Sequence, residues 1–154
     1  FIELTPLILI FFLALSGKSI IDFNFFSVNI HYILIYYWVL RKPQRLGYGF
    51  IFLAGIINDV VLGVPIGSNA LALLIIAAVA AYVRMVTVNV SLFTDWFSFI
   101  PALLVANFIY FAALYYTNYS IDYLNLLINS VFTFIFYPLL WLIFGLINNF
   151  MRSD

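Results

Sequence analysis

Six apolar segments, separated by short polar breaks, make up most of this chain of 154 residues. Hydrophobic residues account for 67% of the sequence and charged residues for 8%, against about 45–50% and about 25% in soluble domains. Such a composition is typical of a protein that resides in a bilayer. We therefore predict an all-α fold, a polytopic membrane bundle of about six transmembrane helices, with residues 1–154 in a single integral membrane domain.

The predicted spans are bounded by polar residues, glycine and proline. They cover residues 2–15, 28–40, 46–64, 68–83, 96–116 and 123–150. The first span is shorter than the roughly 20 residues that a helix needs to cross a bilayer. Because Phe1 is also not a natural start, we expect the natural chain to begin further upstream.

Short polar residues beside the spans predict where three helices begin. Side chains of Ser, Thr, Asn and Asp accept hydrogen bonds from the free N–H groups of a first helical turn. The expected caps are Ser68 or Asn69 for the fourth helix, Thr94 or Asp95 for the fifth, and Ser120 or Asp122 for the sixth.

The cations predict the orientation of the chain. Five of them fall on one side of six alternating spans and Lys18 falls on the other; the five are Arg41, Lys42, Arg45, Arg84 and Arg152. Cytoplasmic loops carry the excess of Lys and Arg, so we expect the 41–45 loop and both termini in the cytoplasm. Aromatic side chains that flank the second span are expected at the lipid headgroups; they are Tyr32, Tyr36, Tyr37 and Trp38.

The residue inventory disfavours several classes of function. A formal net charge of zero argues against nucleic acid as a partner. The chain has no cysteine and one histidine, His31, which argues against a metal site. No nucleophile has a base at a useful spacing, and there is no phosphate-binding loop. We therefore expect neither enzymatic activity nor a cofactor.

One acid, Asp59, interrupts the otherwise apolar third span. A carboxylate at that depth costs about 2.5–3.5 kcal/mol on insertion scales, so it needs a reason to be there. Gly55 and Gly63 lie four residues before and after it on the same helix face, where glycine allows another helix to approach closely. Three interpretations remain open: a structural carboxylate bound by groups around the following turn, a contact with a partner protein, or a transport or proton-relay role.

Two connections carry the remaining candidate residues. The turn after Asp59 contains Gly63, Pro65 and Gly67, which suit backbone geometries that most residues disfavour. In the other connection, Pro43 is expected to end the second helix. Arg41 and Arg45 beside it are topology anchors or, secondarily, a docking site for a cytoplasmic partner.

Asparagines and one acid recur inside the last two spans. Asp122, Asn125 and Asn129 share a face of the sixth helix, with Asn107 of the fifth as a possible partner. Interhelical hydrogen bonds in membranes average about 0.6 kcal/mol. Because such bonds are weak, we interpret these residues as hydrogen bonds between the helices of the bundle more than as a binding site. The outer loops offer few further polar groups for a ligand.

A basic pair with proline, two glycines and an Asp–x3–Gly–x–Pro–x–Gly–x2–Ala turn occur in a fixed order. The residues are Arg41, Lys42, Pro43, Gly49, Gly55, Asp59, Gly63, Pro65, Gly67 and Ala70, and a Tyr137-Pro138 step follows in the last segment. Over roughly residues 33–146, this pattern resembles MreD, the rod shape-determining membrane protein family of bacteria. The chain departs from the commoner family pattern at Asn58, which precedes the acid.

The resemblance implies a non-enzymatic component of the cell-elongation machinery in the bacterial inner membrane. Implied partners are an MreC-like protein, the actin-like MreB, and a glycosyltransferase–transpeptidase pair that makes lateral-wall peptidoglycan. The family's fold is similar to the substrate-binding subunits of energy-coupling-factor transporters. The alternative is therefore a small-molecule (vitamin-type) binding subunit of an uptake transporter. The structural or partner-contact candidates are Gly55, Asp59, Gly63, Pro65, Gly67, Arg41 and Arg45.

Overall fold

The structure is a computed structural model that describes residues 4–16, 22–23, 26–89 and 91–150. Its elements are α1 (Thr5–Ser16), β1 (Asp22–Phe23), β2 (Phe26–Ser27), α2 (Ile30–Arg41), a 3-10 turn (Pro43–Arg45), α3 (Tyr48–Leu62), α4 (Ser68–Val86), α5 (Leu92–Tyr116) and α6 (Tyr123–Phe150). The all-α prediction is confirmed, since β1 and β2 form only a short antiparallel ribbon. Lys18 and Arg152 lie outside the described residues.

Helix α2 occupies the centre of the bundle. Eleven of its twelve residues are buried, from Ile30 to Leu40. It packs against α1, α4 and α6, while Tyr36 meets Phe99 of α5 edge to face. A helix that is apolar on all sides is either buried in protein or surrounded by lipid, and in this bundle α2 is buried in protein. The remaining helices contact one another in the order α1, α3, α4, α5, α6 and so surround much of α2.

The central position of α2 corrects the expectation for its aromatic residues. Tyr32, Tyr36, Tyr37 and Trp38 are at most 5% exposed, so they lie in the core instead of at the headgroups. Large rings contribute most to stability when they are fully buried and a polar tip has a partner. The Tyr36 hydroxyl has one, since it donates to Ser98 Oγ at 2.7 Å.

Helices α4, α5 and α6 are long and apolar enough to cross a membrane, with 19, 25 and 28 residues. The other three are shorter, with 12 residues in α1, 12 in α2 and 15 in α3. Along α6, exposed apolar side chains recur every three or four residues on one stripe: Leu124, Leu127, Val131, Ile135, Leu139, Leu142 and Leu146. An apolar stripe of this length suits contact with lipid.

The helix starts agree with the sequence in one case and differ in two. Asp122 accepts from the backbone N–H of Asn125 at the start of α6, as expected. The cap of α5 is Ser91, whose hydroxyl accepts from Thr94 N–H, so the expectation of Thr94 or Asp95 was wrong. The helix begins four residues earlier than predicted because the apolar pattern continues through Leu92 and Phe93.

The start of α4 is the second correction. Its N-cap residue is Gly67, and neither Ser68 nor Asn69 caps it with a side chain. Ser68 is already inside the helix, and its hydroxyl donates back to the carbonyl of Pro65 at 2.7 Å. The capping acceptor comes from another helix, as described below.

The helix ends gather in two groups. The first group holds the start of α2 and the α3–α4 and α5–α6 turns; we call it the turn end. The second holds the ends of α2, α4 and α6 with Arg41 and Arg84; we call it the arginine end. This grouping separates the sequence's candidate residues into two sites.

Candidate functional site

Asp59 supplies the missing cap of α4 from the preceding helix. Its Oδ2 accepts from the backbone N–H of Gly67 at 2.8 Å, and its Oδ1 accepts from that of Asn69 at 2.9 Å. The first N–H groups of a helix have no partner inside the helix and carry a partial positive charge. A carboxylate supplies the missing acceptors and carries the opposite charge. The side chain is 0% exposed, so these two bonds form away from water and lipid.

The backbone of Asp59 also closes α3. The N–H of Val64 donates to the Asp59 carbonyl at 3.1 Å, and that of Gly63 donates to the Val60 carbonyl at 3.3 Å. This is the Schellman arrangement, which requires a left-handed residue after the helix. Gly63 meets the requirement with φ of 67°. Asp59 therefore ends one helix through its carbonyl and begins the next through its side chain.

Gly67 provides the second left-handed position of the connection. Its φ of 100° and ψ of −14° are those of the third residue in a type II turn. Ser68 N–H donates to the Pro65 carbonyl at 3.2 Å across this turn. A Cβ at Gly63 or Gly67 would meet nothing within 4 Å, so conformation rather than space requires glycine at both sites.

Gly55 is required for the opposite reason. A Cβ built on it would collide with the Cα of Ala70 and lie 2.9 Å from the Ala70 Cβ and N atoms. Helices α3 and α4 therefore touch backbone to backbone at this level, which small residues permit. The expectation of a close helix approach along the glycine stripe is confirmed at Gly55, whereas Gly63 serves the turn.

Taken together, these contacts favour the structural interpretation of Asp59. Both oxygens are engaged by backbone donors, and within the described part of the chain no cation pairs with them. Arg84 lies at the other end of α4, as the sequence predicted. A carboxylate engaged and enclosed in this way is poorly placed to contact another protein directly.

A second polar cluster lies at the arginine end. Asp95 is 3% exposed, and its Oδ2 accepts from Arg41 Nη2 at 3.3 Å and from Trp141 Nε1 at 3.1 Å. The Arg41 guanidinium also lies over the rings of Tyr37 and Trp141, 4.6 and 5.0 Å from their centroids. The cluster joins α2, α5 and α6 through one buried acid.

The sequence interpretation missed this ion pair, although a signal was present. Arg41 directly follows the second predicted span and Asp95 directly precedes the fifth, so alternating spans place both at the same end. Arg45, the other basic candidate, is partly exposed in the 3-10 turn. Arg41 thus has a packing role, and Arg45 is the better placed of the two to face a partner.

A polar cleft of about 420 Å³ opens at the turn end between α2, α3, α4, α5 and α6. Six asparagines line it: Asn29, Asn58, Asn69, Asn107, Asn125 and Asn129. The lining also includes His31, Tyr110 and Asp122. More polar groups therefore meet at these helix ends than the sparse polar residues of the outer loops led us to expect. Hydrogen bonds between helices explain only some of them.

Several cleft residues bond to each other or to their neighbours. Asn107 Nδ2 donates to Ser130 Oγ at 2.6 Å, a residue of α6 that the sequence interpretation did not single out. Asn125 Nδ2 donates to Asp122 Oδ2 at 2.6 Å. In the described ranges, no group of three or more His, Cys, Asp or Glu side chains is placed to hold a metal ion.

Comparison of the chain with protein-family models, curated proteins and solved structures gives no match.

Proposed function

We propose that this chain is an MreD-type, non-enzymatic component of the bacterial rod-shape machinery. In this proposal, it crosses the inner membrane six times with both termini in the cytoplasm. It scaffolds an MreC-like protein, an MreB-type actin homologue and the glycosyltransferase–transpeptidase pair that builds lateral-wall peptidoglycan. The shorter helices α1, α2 and α3 would then cross within a locally protected bundle, since non-helical backbone at membrane depth must be buried in protein.

The observation that supports this proposal most is the convergence of the resembling residues on one hairpin. Gly55, Asp59, Gly63 and Gly67 each have a separate physical task in joining α3 to α4, and Ala70 is the surface against which Gly55 packs. We propose that the exposed faces of α3 and α4 on this hairpin contact a partner.

The test uses the tagged full chain in the rod-shaped bacterium that carries it. Asp59→Leu should round the cells and lose co-purification of the MreC-like protein while the chain still inserts in the membrane. Val131→Leu, an exposed change on the apolar stripe of α6 and away from the hairpin, is the control and should keep both. Normal shape and normal recovery of the partner with Asp59→Leu would overturn the proposal.

One observation favours the second candidate, a small-molecule binding subunit of an uptake transporter. The polar cleft at the turn end has the size and the convergent polar groups of a ligand site. The two candidates differ in their partners: co-purification of an ATPase pair in place of an MreC-like protein would favour uptake. The neighbouring reading frames provide the same discrimination, since an MreC-like gene or an ATPase pair should lie beside this one.

A further inference from the structure

We propose that the cleft at the turn end binds an uncharged small molecule that carries several hydroxyl or amide groups. The proposal depends on the cleft alone and holds under either candidate function. The cleft volume of about 420 Å³ falls within the range of about 300–1,000 Å³ that is usual for ligand sites.

The first argument is an unpartnered buried group. His31 lines the cleft and is 7% exposed, yet its Nε2 has no hydrogen-bond partner in the part of the chain that the structure describes. A buried polar atom without a hydrogen-bond partner destabilises the folded chain. A ligand in the cleft would supply the missing partner.

The second argument is the chemistry of the lining. Amide side chains offer both donors and acceptors and so match hydroxyl and amide groups equally well. Among the described residues that line the cleft there is no lysine or arginine, and Asp122 contributes a carboxylate. An anionic ligand would therefore find no cation to pair with its charge. The Tyr32 and Tyr110 rings add apolar faces for the body of a ligand.

The third argument is that the lining is held in place. Asn107 is bonded to Ser130 and Asn125 to Asp122. Asn69 is fixed through its backbone, because its N–H donates to the buried carboxylate of Asp59. Pre-organised polar groups lose little side-chain entropy on binding.

The experiment measures binding by the purified full chain in lipid nanodiscs, with two pairs of probes. Riboflavin and N-acetylglucosamine are uncharged, and flavin mononucleotide and N-acetylmuramic acid are their anionic counterparts. At least one uncharged probe should bind at millimolar concentration or tighter, and about tenfold more tightly than its anionic counterpart. Binding of neither uncharged probe, or equal binding of an anionic counterpart, would overturn the proposal.

Two variants locate the binding. His31→Leu should weaken binding of the uncharged probe about tenfold, the effect of one lost hydrogen bond, and should leave the unfolding temperature unchanged or higher, because Nε2 has no partner to lose. If His31→Leu does not fold, Asn58→Leu on α3 takes its place with the same expectation. Asn149→Leu at the arginine end is the control and should bind normally. Unchanged binding by the cleft variant would place the probe elsewhere and overturn the site.

Discussion

The Oδ1 atom of Asp59 lies 2.9 Å from the backbone nitrogen of Asn69, ten residues further along the chain. With the bond from Gly67 to Oδ2, this contact makes one side chain the cap of a helix to which it does not belong. The hairpin geometry consequently depends on a group with two acceptor oxygens at a single position.

Substitutions of Asp59 should therefore lower the stability of the chain by different amounts. Asp59→Leu leaves two buried N–H groups unpaired, at about 1–3 kcal/mol each. Asp59→Asn keeps one acceptor oxygen but turns an NH2 group toward the other donor, so it should fall between Asp59→Leu and the unaltered chain. The sequence alone predicts that Asp59→Asn largely keeps the fold. Because two backbone N–H groups bind the carboxylate, we now expect this variant to lose part of its stability. Thermal unfolding in detergent measures the order, and an Asn variant as stable as the unaltered chain would show that one bond suffices.

Gly63 should not tolerate a side chain although space is available. Gly63→Ala places an L-residue in the left-handed region, at about 1–2 kcal/mol, and should lower the unfolding temperature. Gly49→Ala is the matched control. Gly49 lies inside α3, and a Cβ there would also meet nothing within 4 Å, so alanine should raise the free energy of unfolding by about 0.5–1 kcal/mol. Shifts of the same sign in both variants would contradict the conformational explanation.

Gly55 should not tolerate a side chain, here for steric reasons. Gly55→Ala forces α3 and α4 apart and should destabilise the chain by about 1–3 kcal/mol or more. Adding Ala70→Gly should recover little of the loss, because the nearest atom is the Ala70 Cα, which remains. Full recovery in the double variant, seen in the same unfolding assay, would assign the contact to the Ala70 side chain instead.

Arg41 and Asp95 should behave as a coupled pair. Either single change to Leu leaves the other charge without its partner, whereas the double change removes both. The double variant should therefore lose less stability than the sum of the single variants, by about 1–3 kcal/mol. Arg41 is a quarter exposed, which limits the coupling. Strict additivity in a double-mutant cycle would mean that the pair contributes nothing.

The two ends of the bundle should lie on opposite sides of the membrane. The chain has no cysteine, so Gln44→Cys at the arginine end and Ser120→Cys at the turn end each introduce one exposed thiol. In intact spheroplasts an impermeant reagent should label the Ser120→Cys variant only. Labelling of the Gln44→Cys variant under the same conditions would reverse the proposed orientation.

Local signals in the sequence predicted the elements near Asp59 well. Gly63 and Gly67 adopt the left-handed conformations expected of glycine in a tight connection, and Pro43 follows the end of α2. Each of these features depends on residues a few positions apart. Burial of the acid was expected from the cost of a carboxylate in lipid, whereas its binding by groups of the following turn was one of three interpretations that the sequence left open.

Features that join distant segments could not be predicted in the same way. An apolar side chain in a membrane protein faces lipid or protein with equal ease, so hydropathy gave no sign that α2 is central. The ion pair of Arg41 and Asp95 spans 54 positions. The cleft is assembled from five helices. Its asparagines come singly from α3, α4 and α5, in a pair from α6, and from the position just before α2, so none of them stands out in the local sequence.

The enclosure of α2 sets how much change each helix can accept. On the exposed stripe of α6, an exchange among Leu, Ile, Val and Phe keeps an apolar surface that fluid lipid chains can cover whatever its shape. On α2 beyond the cleft, the buried side chains from Ile33 to Leu40 pack against neighbouring helices, where even volume-conserving exchanges cost up to about 1.5 kcal/mol. Exposed positions on α6 can therefore exchange one apolar residue for another independently, whereas the enclosed part of α2 can change only together with the helices around it.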